Sequence, residues 1–198
     1  MSSGILEMMD LPNNGRTTMI GNKNKIGFSL KKVSDEEHIC QLKVYILGKN
    51  VCDWTDLETR QKHTVQWNLD ELIDYLYHTI DFIYADDAFP VETVGNCAAE
   101  MDENARCFDS DNDDEMLNYY EKLNDWTYRH SWTHARSGAI VPDMMFRKVG
   151  DEIEISWWSD QENEGRKFTY DYGYYRLPSS EYQSLISELF CQYNSMWL

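Results

Sequence analysis

The feature that most constrains this chain is a change of hydrophobic period at residue 68. Before it, apolar side chains fall at every second position: Ile26, Phe28 and Leu30, then Cys40, Leu42, Val44 and Ile46 beyond the polar Ser34-Asp35-Glu36-Glu37 turn. A period of two buries one side of an extended strand, so this stretch reads as a β-hairpin. A shorter strand is expected at His63–Trp67, where His63, Val65 and Trp67 alternate. After it, Leu69, Leu72, Ile73, Leu76, Ile80 and Ile83 recur at helical spacing and predict a helix over about residues 69–84. Asn68 reads as its N-cap with Glu71 as capping-box partner, and Asp70, Glu71 and Asp74 occupy the first turn, which the helix dipole favours. A chain carrying both periods has to combine sheet with helix, which makes the fold class α+β.

The second half alternates between the same two patterns. A helix is expected from Asp114 to about Ser137, with Met116, Leu117, Tyr120, Leu123 and Thr127 on one side, a break near Arg129, and Gly138 as the left-handed residue that closes it. Met144–Val149 and Glu152–Trp158 flank Gly150-Asp151 as a second hairpin with Ile153, Ile155 and Trp157 facing one way, and Phe168, Tyr170 and Tyr172 continue its sheet. Ser180 and Gln183 form a capping box for a final helix carrying Tyr182, Leu185, Ile186, Leu189, Phe190 and Tyr193. Residues 85–112 lose all periodicity and read as a long ordered loop or a mobile acidic segment, while residues 1–22 read as a loose N-terminal arm or an edge element. A chain of 198 residues fills one core. The expected architecture is a single α+β domain over 23–198, a mostly antiparallel sheet from two hairpins packed by about three helices.

Charge divides the chain unevenly. The formal net charge is −17, of which residues 51–125 carry −16. Such a surface repels nucleic-acid phosphates and steers basic partners, so a protein partner with a basic surface is expected, with no direct nucleic-acid binding. No apolar stretch approaches a membrane span, and Met1 to Asp10 carry no basic segment followed by an apolar run, so no membrane association and a cytoplasmic location are expected. The five cysteines, Cys40, Cys52, Cys97, Cys107 and Cys191, show no C-x-x-C spacing, which argues for a reducing compartment and against a disulfide framework or a zinc knuckle.

Catalytic signatures are weak throughout. Asp109, Asp111 and Asp113 copy the first half of a calcium loop, but Asp114 and Tyr120 stand where the loop needs Gly and a bidentate Glu. His130 and His134 are four apart, and on one helix both imidazoles would point the same way, with no third ligand visible nearby. Arg129, His130, His134 and Arg136 together read either as cations compensating a helix C-terminus or as a contact for an anionic group. In the second case Arg129 and His130 would matter to recognition more than to folding. No Gly-x-Ser-x-Gly, P-loop, G-x-G-x-x-G or His-Glu-x-x-His occurs, and no cofactor or metal is expected. Aromatic side chains crowd into the last hairpin and strand, and alternation turns some outward, with Trp158 and Tyr174 as candidate interface anchors.

The residues Arg129-His130-Ser131, Gly138, Pro142-Asp143, Phe146-Arg147, Gly150-Asp151 and Glu154-Ile155-Ser156-Trp157 resemble a segment of bacterial stress and phage-defence proteins, where it precedes an ImmA/IrrE-type metallopeptidase domain. The resemblance covers about 30 of the 198 residues and departs from the larger architecture, because the peptidase domain and its metal-binding helix are missing. It implies a stand-alone accessory or sensor module, a format that also suits an immunity protein blocking a basic toxin. The leading expectation is a non-catalytic, acidic protein-binding module: an inhibitory, sensing or assembly subunit of a bacterial defence or toxin-control system. The alternatives are an enzyme of unrecognised type using Arg129, His130, His134 and Arg136, and an acidic mimic of nucleic acid.

Overall fold

The first hairpin forms as β2 (Ile26–Lys32) and β3 (Ile39–Ile46), antiparallel, with Phe28 opposite Val44 and Leu30 opposite Leu42. The computed structural model of the protein describes residues 17–34, 36–85, 88–160 and 162–197. Part of the expected N-terminal arm is a strand: β1 (Thr17–Gly21) lies antiparallel on β2 and buries Ile20, while residues 1–16 fall outside the described residues. The short β4 (Lys49–Asn50) and β7 (Gln66–Asn68) both pair with β3 and complete a five-stranded sheet.

The strand expected at His63–Trp67 is broken in two. β6 (Lys62–Thr64) pairs with β5 (Asp53–Asp56) in a different sheet from β7. Val65 between them is buried and bonds two ways: its carbonyl accepts from Leu42 at 2.9 Å and its N–H donates to Cys52 at 3.2 Å. A single alternating pattern therefore feeds two sheets. β10 (Arg166–Phe168) also joins β5. The expectation that Phe168, Tyr170 and Tyr172 continue one sheet is corrected accordingly, because only the strand beginning at Tyr172 does so. That strand, β11 (Tyr172–Pro178), pairs with β9 (Glu152–Trp158), which pairs with β8 (Met144–Val149). Gly150 turns the β8–β9 hairpin at φ +61°, a conformation that strains residues carrying a Cβ.

Four α-helices accompany the three sheets, one more than expected. α1 (Leu69–Ala85) begins where the period changes, and Asn68 Oδ1 accepts the Asp70 N–H at 2.9 Å as an N-cap. The extra helix is α2 (Ala98–Ala105), inside the segment expected to be a loop. α3 (Asp113–His130) stops at the expected break near Arg129, and the helix does not resume as far as Ser137. Ser131 takes an extended conformation, bridges to Met145 and opens a 3-10 turn at Trp132–Ala135. Two buried indoles bond across this break: Trp132 donates to the Pro142 carbonyl at 2.6 Å, and Trp67 to that of Ala135 at 3.0 Å. Gly138 does have positive φ, +84°, but it follows the 3-10 turn instead of closing α3. α4 (Ser179–Trp197) starts one residue before the expected capping box, and Ser179 Oγ donates to the Asp151 carbonyl at 2.8 Å. It packs on β1, β2, β9 and β11, so one apolar cluster runs from Ile20 through Leu42, Leu72 and Ile155 to Leu189.

α2 is attached to the third sheet by charge. Arg147, Glu154 and Arg176 stand side by side across β8, β9 and β11. Glu154 is 0% exposed; its Oε1 accepts from Arg147 Nε at 2.8 Å and from the Ala98 N–H at 2.8 Å, and its Oε2 accepts from Arg176 Nη2 at 2.7 Å. Ser156 Oγ accepts the Ala99 N–H at 3.1 Å. Cys97, at the N-cap position, makes no side-chain cap. The first-turn N–H groups of α2, which a helix cannot satisfy itself, are thus received by the sheet beneath. Glu154→Ala would leave the buried Arg147 without its counter-charge and should cost about 3–5 kcal/mol in urea unfolding. A loss below about 1 kcal/mol would mean that the three residues act as a solvated surface pair.

Candidate functional site

The six residues singled out from the sequence fall in four places. Arg129 lies on the outer side of the α1–α3 pair: its Nη2 reaches Asp125 Oδ2 at 3.1 Å and its guanidinium sits 5.0 Å from the Phe82 ring centroid. His130 is 0% exposed, stacked on Trp126 at 4.1 Å, and its Nδ1 donates to the Phe146 carbonyl at 2.7 Å. His134, Arg136 and Trp158 meet at the rim of a cleft of about 390 Å³. Tyr174 stands apart on the exposed face of β11, with the Arg176 guanidinium 5.9 Å from its ring. The four-cation constellation does not assemble. Because α3 ends at His130, the two imidazoles never share a helical face, and one of them is core.

The cleft lies between α2, the end of α3 and β8–β9. α2 contributes Asp102 and Arg106, paired by two bonds, Nε to Oδ2 at 2.7 Å and Nη2 to Oδ1 at 3.0 Å. Thr127 Oγ1 donates to the same carboxylate at 3.1 Å. On the opposite wall Ser131 Oγ donates to Thr133 Oγ1 at 2.9 Å, which donates to Asp143 Oδ1 at 3.0 Å. Burial, then the positive charges of Arg106 and Arg136, hold His134 below its ordinary value of 6.5, with Asp102 opposing. A neutral imidazole at neutral pH follows, next to an Arg136 guanidinium held by no hydrogen bond or ion pair among the described residues. Four carboxylates, Asp102, Glu103, Asp143 and Glu164, outnumber the two arginines, so the cleft is polar, mixed in sign and acidic on balance.

Asp109, Asp111 and Asp113 lead into α3 without converging. Asn112 Oδ1 caps the helix by accepting from Asp114 N at 3.1 Å and Glu115 N at 3.3 Å, and Ser110 Oγ donates to Glu115 Oε2 at 2.8 Å. Among the described residues no group of three or more His, Cys, Asp or Glu side chains is placed to hold a metal ion. The described residues also hold no helix long and apolar enough to cross a membrane.

A second concavity escaped the sequence reading. α1 and α4 leave a groove of about 540 Å³ between Asp70, Asp74 and Tyr77 on one side and Phe190 and Tyr193 on the other. Its signal was present, because 70, 74 and 77 are helical neighbours and so are 190 and 193, but only the docking of α4 beside α1 brings the two sets together. Comparison with known proteins gives no match: no family model, no curated protein and no solved structure aligns significantly with the chain.

Three outcomes follow. His130→Ala removes a buried, stacked and hydrogen-bonded ring and should destabilise the protein by about 2–4 kcal/mol in urea unfolding, the reverse of a residue kept for recognition. Arg129→Ala, which loses the Asp125 pair and the contact with the Phe82 ring among its interactions, should cost about 1–2 kcal/mol in the same assay. For His134, the folded chain binds the proton less readily than the unfolded chain, so its contribution destabilises as pH falls below 6.5 and is absent above it. An NMR titration should place its midpoint below 6.5, and Arg136→Ala should raise it. An unchanged midpoint in Arg136→Ala would remove the guanidinium as a cause.

Proposed function

We propose that the protein is a non-catalytic binding module that docks on the basic surface of a protein partner, as an inhibitory, sensing or assembly subunit of a bacterial defence or toxin-control system. The observation that carries this reading is a set of exposed aromatic rings among carboxylates on α1 and α3. Tyr77 is 72% exposed and Tyr128 61%, and Phe82 lies between them in sequence, with Asp74, Asp81, Glu121 and Asp125 exposed on the same two helices. Arg129 joins the two helices here through Phe82 and Asp125. Large rigid rings supply contact area at low entropy cost, and the surrounding carboxylates raise the encounter rate with a cationic surface. The defence context is supported by the resemblance over residues 129–157 alone.

The enzyme alternative loses its best acid–base group, since His130 is sealed in the core and its Nδ1 is occupied by a backbone carbonyl. The test is the salt dependence of association. A partner identified by cross-linking in the native host should associate several-fold more slowly when salt rises from about 50 mM to about 500 mM, with a smaller change in dissociation. An association rate indifferent to salt would sink the steering mechanism, and a partner with an acidic surface would sink the reading itself.

A further inference from the structure

We propose that the groove between α1 and α4 is the point at which a basic protein segment inserts a lysine or arginine side chain, held between aromatic rings and carboxylates. The assignment rests on the docking reading above and gives it a specific seat.

The chemistry of the walls selects the occupant. Asp70, Asp74 and Tyr77 fall at helical spacing on α1, and Phe190 and Tyr193 three apart on α4, so two carboxylates and three rings face a space of about 540 Å³. No lysine, arginine or histidine is among the described residues lining it. A cation over an aromatic face is attracted by the ring's quadrupole, and a nearby carboxylate adds a charge partner. The protein's own lysines already make such contacts elsewhere, Lys32 Nζ 4.2 Å from the Trp197 ring and Lys23 Nζ 4.5 Å from that of Tyr45. Asp70 is already engaged by Tyr193 and His38, so the exposed Asp74 is the carboxylate that would meet an incoming cation.

One end, where Tyr193 of α4 meets Asp70 of α1, is built in advance. Tyr193 donates its hydroxyl to Asp70 Oδ1 at 2.5 Å, and His38 Nδ1 donates to the same carboxylate at 2.8 Å while stacking on Trp197 at 4.5 Å. Burial and Asp70 push the Tyr193 phenol up to about 12, so its hydroxyl stays a donor to Asp70. The other end is open: Tyr77 is 72% exposed, and among the described residues the exposed Asp74 carboxylate meets only His78, at 3.4 Å. A rigid floor with an open, acidic lip suits a long cationic side chain entering from solvent.

The test uses a fluorescein-labelled hexalysine peptide as probe, read by anisotropy at low salt. The combined Asp74→Asn and Tyr77→Ala substitutions should weaken binding about tenfold with an unchanged melting temperature. The combined Asp114→Asn and Glu115→Gln substitutions on α3 should weaken it about twofold, although they remove one more negative charge. In the parent protein the peptide should shift the ring resonances of Phe190 and Tyr193. If the α3 variant loses as much affinity as the groove variant, or more, long-range charge alone is responsible; the groove assignment then falls and the docking reading stands. Hexalysine that fails to bind at all would overturn both.

Discussion

Glu154 is the charge on which the second half of the molecule is organised. A carboxylate removed from water is costly, and it is tolerated here because its oxygens accept from two arginines and a backbone N–H. The arrangement uses strand register alone: three residues from three strands stand opposite one another, with the start of a helix set on top. From that contact follows the position of α2, then the small apolar cluster of Ala98, Trp126 and Met145, and then the cleft whose wall carries Asp102 and Arg106. A short helix of polar composition has little stability of its own. It persists because the sheet completes its hydrogen bonding.

The same residue type plays opposite parts inside and outside. Glu154 is neutralised where it is buried, whereas Asp74, Asp81, Glu121 and Asp125 keep their field in solvent beside exposed rings. The separation explains how a chain of net charge −17 can hold a closed core and still present an attractive surface to cations. It also explains why the cations near the end of α3 do not form one site. Arg129 is drawn outward to Asp125 and Phe82, His130 inward to Trp126 and Phe146, and His134 and Arg136 past the break to the cleft.

Local pattern was sufficient where an element makes its own bonds. The β2–β3 and β8–β9 hairpins, α1 with Asn68 at its start, and the bulk of α4 were legible because periodicity and capping chemistry act between residues near in sequence. α2 was not legible: Ala98–Ala105 carries no apolar stripe of its own, and its cap comes from Glu154 and Ser156, more than 50 residues away. The groove between α1 and α4 was invisible for the same reason, since neither helix contains it.

The sequence by itself determined the fold class, the hairpins, the main helices and the sign of the surface, because these depend on side-chain alternation and on charge that no partner can alter. Tertiary structure alone decided which sheet each strand joined, what followed the break at the end of α3 and whether a histidine became surface or core. Val65 had to bond two strands at once, Trp132 needed an acceptor for a buried indole N–H, and His130 took the space beside Trp126. These outcomes depend on packing between elements, such as the Phe146 carbonyl of β8 that holds the His130 ring.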